Sequence, residues 1–225
     1  MILEKINNIL NLKDFDRFEN LSFDGFQFND YESIIKRFLL KINTFEISLT
    51  TVHLLVEFIN LVQQKKLFNN IENFHFNILI DFLEKIDDKN DKSTHPLLVQ
   101  VRTLIVDCLT NTLSFEKLNF YNQETEKSIL KAVLKKYLNN PFISLLYSKG
   151  LDFTTIEGQN PYYYVLKNSD STNFTVETLY NLNIPLPNNF WAFVFKQISE
   201  NKINKDKDFL LKLPQQNFIV DESTN

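Results

Sequence analysis

A helix-sized block recurs three times in this chain, and that recurrence narrows the folds open to it more than any other feature. Ser33-Ile34-Ile35-Lys36-Arg37-Phe38-Leu39-Leu40-Lys41-Ile42 returns as Asn77-Ile78-Leu79-Ile80-Asp81-Phe82-Leu83-Glu84-Lys85-Ile86. A looser copy is Ser128-Ile129-Leu130-Lys131-Ala132-Val133-Leu134-Lys135-Lys136-Tyr137. The offsets are 44 and 51 residues. Periods of that size belong to helical units that cannot bury their apolar faces alone and must stack on their neighbours. Phe38, Phe82 and Val133 share one slot of the block, so all three are expected in the core.

Composition agrees with an all-α chain. Only Gly25, Gly150 and Gly158 are glycine in 225 residues, too few for a fold built on tight turns, bulges or phosphate-cradling loops. The chain is 44% hydrophobic, which allows a sizeable core. Apolar residues at helical spacing predict the elements in order. Residues 1–11 read as a short amphipathic helix and 13–30 as an irregular connection. Helices follow at Tyr31–Ile42, Thr50–Leu67, Ile71–Ile86, Pro96 to about Leu113, and Glu124–Leu138. The wholly polar stretch Asp87–Thr94 reads as a linker, and Pro96 suits an early helical position.

Taken in pairs, these are helix–loop–helix units. Thr50–Leu67 with Ile71–Ile86 is one, and Pro96–Leu113 with Glu124–Leu138 is another. Leu54, Val56 and Ile59 match Leu104, Val106 and Leu109 at an offset of 50. On these residues the chain resembles armadillo- or HEAT-type α-solenoid proteins over about 30–140. The mid-helix Pro and the inter-unit Asp/Arg pattern of HEAT units are absent. A compact irregular helical bundle is the competing arrangement.

The last third differs. Four of the six prolines lie at or after Pro161. Ile143–Phe153 aligns with Val176–Leu186 at an offset of 33 throughout, with Leu146/Leu179 and Tyr147/Tyr180 identical. Between the copies stands Gly158-Gln159-Asn160-Pro161-Tyr162-Tyr163-Tyr164-Val165. This looks like a worn form of the ankyrin G-x-T-P-L-H-x-A turn, and Leu146, Gly150 and Asp152 resemble an ankyrin outer-helix end with its G-A-D. Residues 142–200 therefore resemble one to two degenerate ankyrin units. Asn160, Tyr162, Tyr163 and Val165 depart from the pattern, and the Thr–His hydrogen bonding of a standard ankyrin turn goes with them. Gly150 and Asn183 should end equivalent helices with positive φ, since these two residue types best tolerate the left-handed region. Pro161 and Pro185 should lie in turns or at helix starts. The expected organisation is an armadillo/HEAT-like region at 1–140, an ankyrin-like helical region at 141–214 packed on it, and a flexible tail at 215–225.

Chemistry is not legible. His53, His75 and His95 lack metal-type partners at i+3 or i+4. Cys108 sits on the apolar stripe Val101-Leu104-Ile105-Cys108-Leu109 and reads as a small buried hydrophobe. The acidic pairs Asp14/Asp16 and Asp87/Asp88 fall in polar connections. No nucleotide-loop, nucleophile-elbow or H-E-x-x-H string occurs. No cofactor and no catalytic or metal site is expected, and the chain reads as a non-enzyme. An enzyme with a site assembled from unlinked residues is the alternative.

The net charge of −4, with Lys202, Lys205, Lys207 and Lys212 interleaved by Glu200, Asp206 and Asp208, speaks against a nucleic-acid footprint. A lone cysteine rules out an intrachain disulfide and favours a reducing compartment. No segment approaches a membrane span of about 18 uncharged residues. These features fit a soluble cytoplasmic or nuclear protein. The expected partner is another protein or peptide. Tyr162, Tyr163, Tyr164 and Trp191 are the candidate partner-binding residues, since exposed Tyr and Trp often anchor interfaces.

Overall fold

The computed structural model describes residues 23–43, 49–85, 96–135, 140–154, 156, 159–168, 176 and 179–200. Nine named helices occur among them: α1 Phe28–Asn43, α2 Leu49–Gln64, α3 Ile71–Lys85, α4 Pro96–Thr110, α5 Phe115–Leu118, α6 Ile129–Lys135, α7 Asn140–Ser148, α8 Pro161–Asn168 and α9 Phe190–Ser199. Residues 176 and 179–181 are also helical. Among the described residues β structure amounts to two isolated bridges, Asn122–Lys127 and Ile156–Gln159. The fold is all-α.

The helices pack in two rows. α2 lies on α4 and α4 on α7, while α3 lies on α6, α6 on α8, and α8 on α9. A helix with neighbours on both sides must be apolar on both sides. α3 is: His75, Phe76, Ile78, Leu79, Ile80, Phe82 and Leu83 are all buried. The threefold block keeps its register, since Phe38, Phe82 and Val133 are buried, as are Ile34, Ile78 and Ile129 in the slot four residues earlier. The core runs without a break across position 140, from Phe26 to Val194.

Local chemistry explains where the helices start. Asp30 Oδ2 accepts from Gln27 N at 3.0 Å, the reciprocal half of a capping box. This draws the start of α1 back to Phe28, inside the stretch 13–30 expected to be irregular. Ser114 caps α5 through its side chain, 3.2 Å from Lys117 N. Ser128 Oγ accepts from Lys131 N at 3.0 Å, which makes Ser128 the cap of α6. Asn160 Oδ1 accepts from Tyr162 N at 3.0 Å, with Pro161 as the first residue of α8. Pro185 is outside any helix.

Three helix ends share one device. Lys66, Gly150 and Asn183 have φ of 48°, 95° and 58°. Around each, two backbone bonds close the last turn. Gly150 N donates to Tyr147 O and Leu151 N to Leu146 O, both at 3.0 Å. The bonds at Asn183 (to Tyr180 O) and Ile184 (to Leu179 O), and at Lys66 (to Gln63 O) and Leu67 (to Val62 O), repeat the pattern. An apolar residue follows each left-handed residue and turns inward, as this motif requires. The positive φ expected at Gly150 and Asn183 is present.

One element was misread from sequence. Glu124–Leu138 does not begin as helix. Residues 122–127 form a tight turn with Glu126 at φ 53°, closed by Asn122 N to Lys127 O (2.9 Å) and Lys127 N to Asn122 O (3.3 Å). Asn122 Oδ1 accepts from the backbone N–H of Glu124 and Thr125, offering this segment partners that a helix would have to replace. The Ile156–Gln159 turn stands in the same place ahead of α8. The linker at Asp87–Thr94, the helix at 1–11 and the tail at 215–225 lie outside the described residues.

Candidate interaction surface

The four residues singled out from sequence do not form one exposed face. Tyr162 and Tyr164 are buried. The Tyr162 hydroxyl donates to Ile184 O at 2.8 Å, and its ring meets Phe190 edge-on at 5.5 Å. Burial pushes its phenol pKa upward. Helical geometry is the reason: Tyr162 and Val165 fall on the face of α8 turned to the core, and a run of three tyrosines cannot keep all its rings on one side. Tyr163 is half-buried, 4.6 Å from Phe193, with its hydroxyl bonded to Asn189. Trp191 is half-buried beside Phe190 and Phe195. The exposed face expected from these four is therefore not there as drawn, and only Tyr163 and Trp191 reach solvent appreciably.

Exposed aromatic side chains gather elsewhere, on two loops joined by hydrogen bonds. Phe115 is 65% exposed, Phe120 42%, Tyr121 36% and Tyr147 43%. The first three belong to α5 and the connection after it; Tyr147 lies in the last turn of α7. Asn119 ties the two together. Its side-chain N–H groups donate to Phe115 O (3.0 Å) and Gly150 O (3.1 Å), and its Oδ1 accepts from Asp152 N at 2.7 Å. The Phe115 ring passes directly over Gly150. Lys117 is held above Phe76 and Phe120, 4.7 and 4.5 Å from the ring centroids, and Lys131 lies 5.9 Å from the Tyr121 ring. Under this edge a cleft of about 300 Å³ separates Leu118, Tyr121 and Leu130 from Leu151, Asp152 and Ile156.

Electrostatics fix the base of the edge. Glu72 on α3 accepts from Ser114 N at 2.7 Å. That backbone N–H, helped by the Ser114 hydroxyl and the Lys117 ammonium, holds the Glu72 carboxyl below the usual carboxylate range against an opposing effect of burial. Lys127 reaches back to α3, with Nζ 3.2 Å from Asp81 Oδ1 and 3.5 Å from Glu84 Oε2. The bond to Asp81 leads in raising its pKa.

Sequence reading passed over these residues, yet a signal was present. Phe115, Phe120 and Tyr121 fall within one short connection, and a connection of that length cannot bury three aromatic rings.

The titratable groups of the interior form a different arrangement. His75, fully buried, bonds Tyr31 of α1 through Nε2, and its Nδ1 lies 2.8 Å from Thr112 Oγ1. The Thr112 hydroxyl is committed to Leu109 O at 2.7 Å. Proton directions follow: Tyr31 O–H donates to Nε2, Nδ1–H donates to Thr112 Oγ1, and Thr112 O–H donates to the carbonyl. Each polar side-chain atom of this Tyr31–His75–Thr112 line has a partner with the imidazole neutral. Burial pushes the His75 pKa down to about 4 and the Tyr31 phenol upward. Cys108 Sγ is 4.0 Å from Val56 O and from Asn60 Oδ1, and burial pushes the thiol up to about 12. A thiol so held is not a nucleophile at neutral pH. Among the described residues no group of three or more His, Cys, Asp or Glu could hold a metal ion. No described helix is long and apolar enough to cross a membrane.

No family model, no curated protein and no solved structure matches this chain.

Proposed function

We propose that this chain is a non-enzymatic protein-interaction module, a scaffold that presents the loop edge of stacked helix pairs to another protein or peptide. The observation that carries this reading is the exposure of Phe115, Phe120, Tyr121 and Tyr147 on loops already fixed by Asn119. Large aromatic groups on a pre-ordered edge lose little conformational freedom on binding and supply the area that hot spots use. The two-row packing favours an α-solenoid arrangement over an irregular bundle. The ankyrin-like reading gains support from the unit upstream of residue 142. Leu118/Leu151 and Phe120/Phe153 are identical at an offset of 33, and each pair is followed by a tight turn and a capped helix. Nucleic acid is the weaker partner class, because the lysines of the edge alternate with Glu72, Asp81, Glu84 and Asp107.

Affinity capture from the native cell with the full chain, beside a full chain carrying Phe120→Ser, Tyr121→Ser and Tyr147→Ser, tests the reading. The expected result is a protein retained by the first and lost from the second, with both chains equally helical and the capture resistant to nuclease. Equal retention by both chains would place the binding surface elsewhere.

A further inference from the structure

The cleft under the aromatic edge has apolar walls and a charged rim. Leu118 and Leu130 line one side, Leu151 and Ile156 the other, and all four are buried. Tyr121 and Asp152, both exposed, stand at its mouth. An apolar cavity of about 150 Å³ takes one benzene ring. At about 300 Å³ this cleft has room for one large apolar side chain and the backbone that carries it.

Charge divides the edge by depth. Its lysines are half-buried and turned onto the protein. Lys127 reaches Asp81 and Glu84, Lys149 lies 2.7 Å from Asp107, and Lys117 and Lys131 lie over aromatic rings. The carboxylates Glu116, Glu124, Glu126 and Asp152 are exposed instead. None of these four has an ion-pair partner among the described residues. A partner that approaches the cleft therefore meets apolar surface bordered by negative charge.

We infer that the cleft takes a peptide segment of a partner protein in which one large apolar side chain is flanked by Lys or Arg. This narrows the interaction role proposed above, on which it rests, from any protein to a basic segment. The apolar side chain enters between Leu130 and Leu151 beside the Tyr121 ring. Its basic neighbours meet Asp152 on one side and the turn carrying Glu124 and Glu126 on the other, where complementary charge speeds encounter and selects the partner. The 122–127 turn and the Asn119 bonds to Gly150 and Asp152 hold both walls before the partner arrives, so little order is lost on binding. Nucleic acid does not suit the cleft, since its phosphates would meet these carboxylates at close range.

A library of random peptides displayed on phage, selected against the immobilised full chain, tests this. Enriched peptides should carry a large apolar residue with Lys or Arg beside it. A synthetic copy of an enriched peptide should bind the full chain more weakly as salt rises. It should bind about tenfold more weakly to a full chain carrying Glu116→Gln, Glu124→Gln, Glu126→Gln and Asp152→Asn, which removes the charge and keeps a carbonyl acceptor at each position. A selection that returns nothing, or returns peptides without Lys or Arg, overturns the proposal. So does equal binding to the amide-substituted chain. The chain carrying Phe120→Ser, Tyr121→Ser and Tyr147→Ser keeps all four carboxylates and separates the two levels of failure. If the peptide binds the amide-substituted chain fully and the serine-substituted chain not at all, the aromatic edge stands and only its preference for a basic partner falls. If it binds both fully, the edge falls as well.

Discussion

The layers around α1–α4 and those around α7–α9 are joined by different means. In the first, side chains do the joining. Tyr31, His75 and Thr112 link α1, α3 and the end of α4 in one line of satisfied polar groups, surrounded by the rings of Phe28, Phe58, Phe68 and Phe74. In the second, backbone groups and short amides do it. Left-handed caps close the helices, and Asn119 and Asp152, 33 residues apart, bond one loop to the next. A buried side-chain network makes its members depend on one another, because an unpaired polar atom in an apolar interior is costly. A cap and a loop bond act within one unit and its neighbour. The first region should therefore respond to protonation and core truncation, and the second to changes of backbone preference.

The largest effect is expected at Phe82, which fills the shared slot of the repeated block on α3. Phe82→Ala should cost about 3–5 kcal/mol, read by urea unfolding. A loss below about 1 kcal/mol would mean that Phe82 does not fill a core slot on α3.

Acidification should weaken the first region through His75. Its folded pKa of about 4 lies below the unfolded value of 6.5, so between these pH values the unfolded chain binds more protons at this site. The stabilisation is complete above pH 6.5 and is lost as pH falls towards 4, on the order of 3 kcal/mol in all. Unfolding of the native chain and of His75→Gln across that window isolates the contribution. Parallel pH profiles would show that the imidazole is not held neutral.

The second region has its own tests, of smaller size. Gly150→Val should destabilise by about 2 kcal/mol. The Phe115 ring would stand 3.5 Å from the new Cβ, an ordinary contact, so the cost arises from φ of 95° and not from crowding. Asn119→Ala should cost about 1 kcal/mol, since it strands the Asp152 N–H and the Gly150 carbonyl. The one left-handed cap of the first region gives a test of opposite sign: Lys66→Gly at the end of α2 should raise stability by up to about 1 kcal/mol, because lysine at φ 48° carries a Cβ penalty that glycine lacks. A destabilised Lys66→Gly would show that the three helix ends are alike in geometry only.

What the sequence disclosed follows the same division. Helix positions, the burial of Phe38, Phe82 and Val133, and the positive φ of Gly150 and Asn183 were readable because periodicity and backbone tolerance are local properties. Lys66 and Glu126 adopt the same φ region without a residue type that announces it. The 122–127 turn was concealed for a similar reason: Glu124 to Lys127 are compatible with helix, and only Asn122 argues against it. The Tyr31–His75–Thr112 line depends on residues 44 and 37 positions apart. The one sequence clue to it is that Tyr31 and His75 occupy equivalent places two residues ahead of the repeated block. Tyr162 and Tyr164 were assigned to the surface because composition counts aromatic rings without saying which way each turns, whereas the edge at Phe115, Phe120, Tyr121 and Tyr147 depends on a loop path.

Cys108 turns the interior of the first region into a clock. Its sulfur lies between α4 and α2, with a pKa near 12, so an alkylating reagent at neutral pH has almost no thiolate to attack while the layers are closed. Reaction must wait for α2 and α4 to part, and with one cysteine in the chain every modified molecule records a single opening event. The native protein thus reports how often its first layers separate, by mass alone.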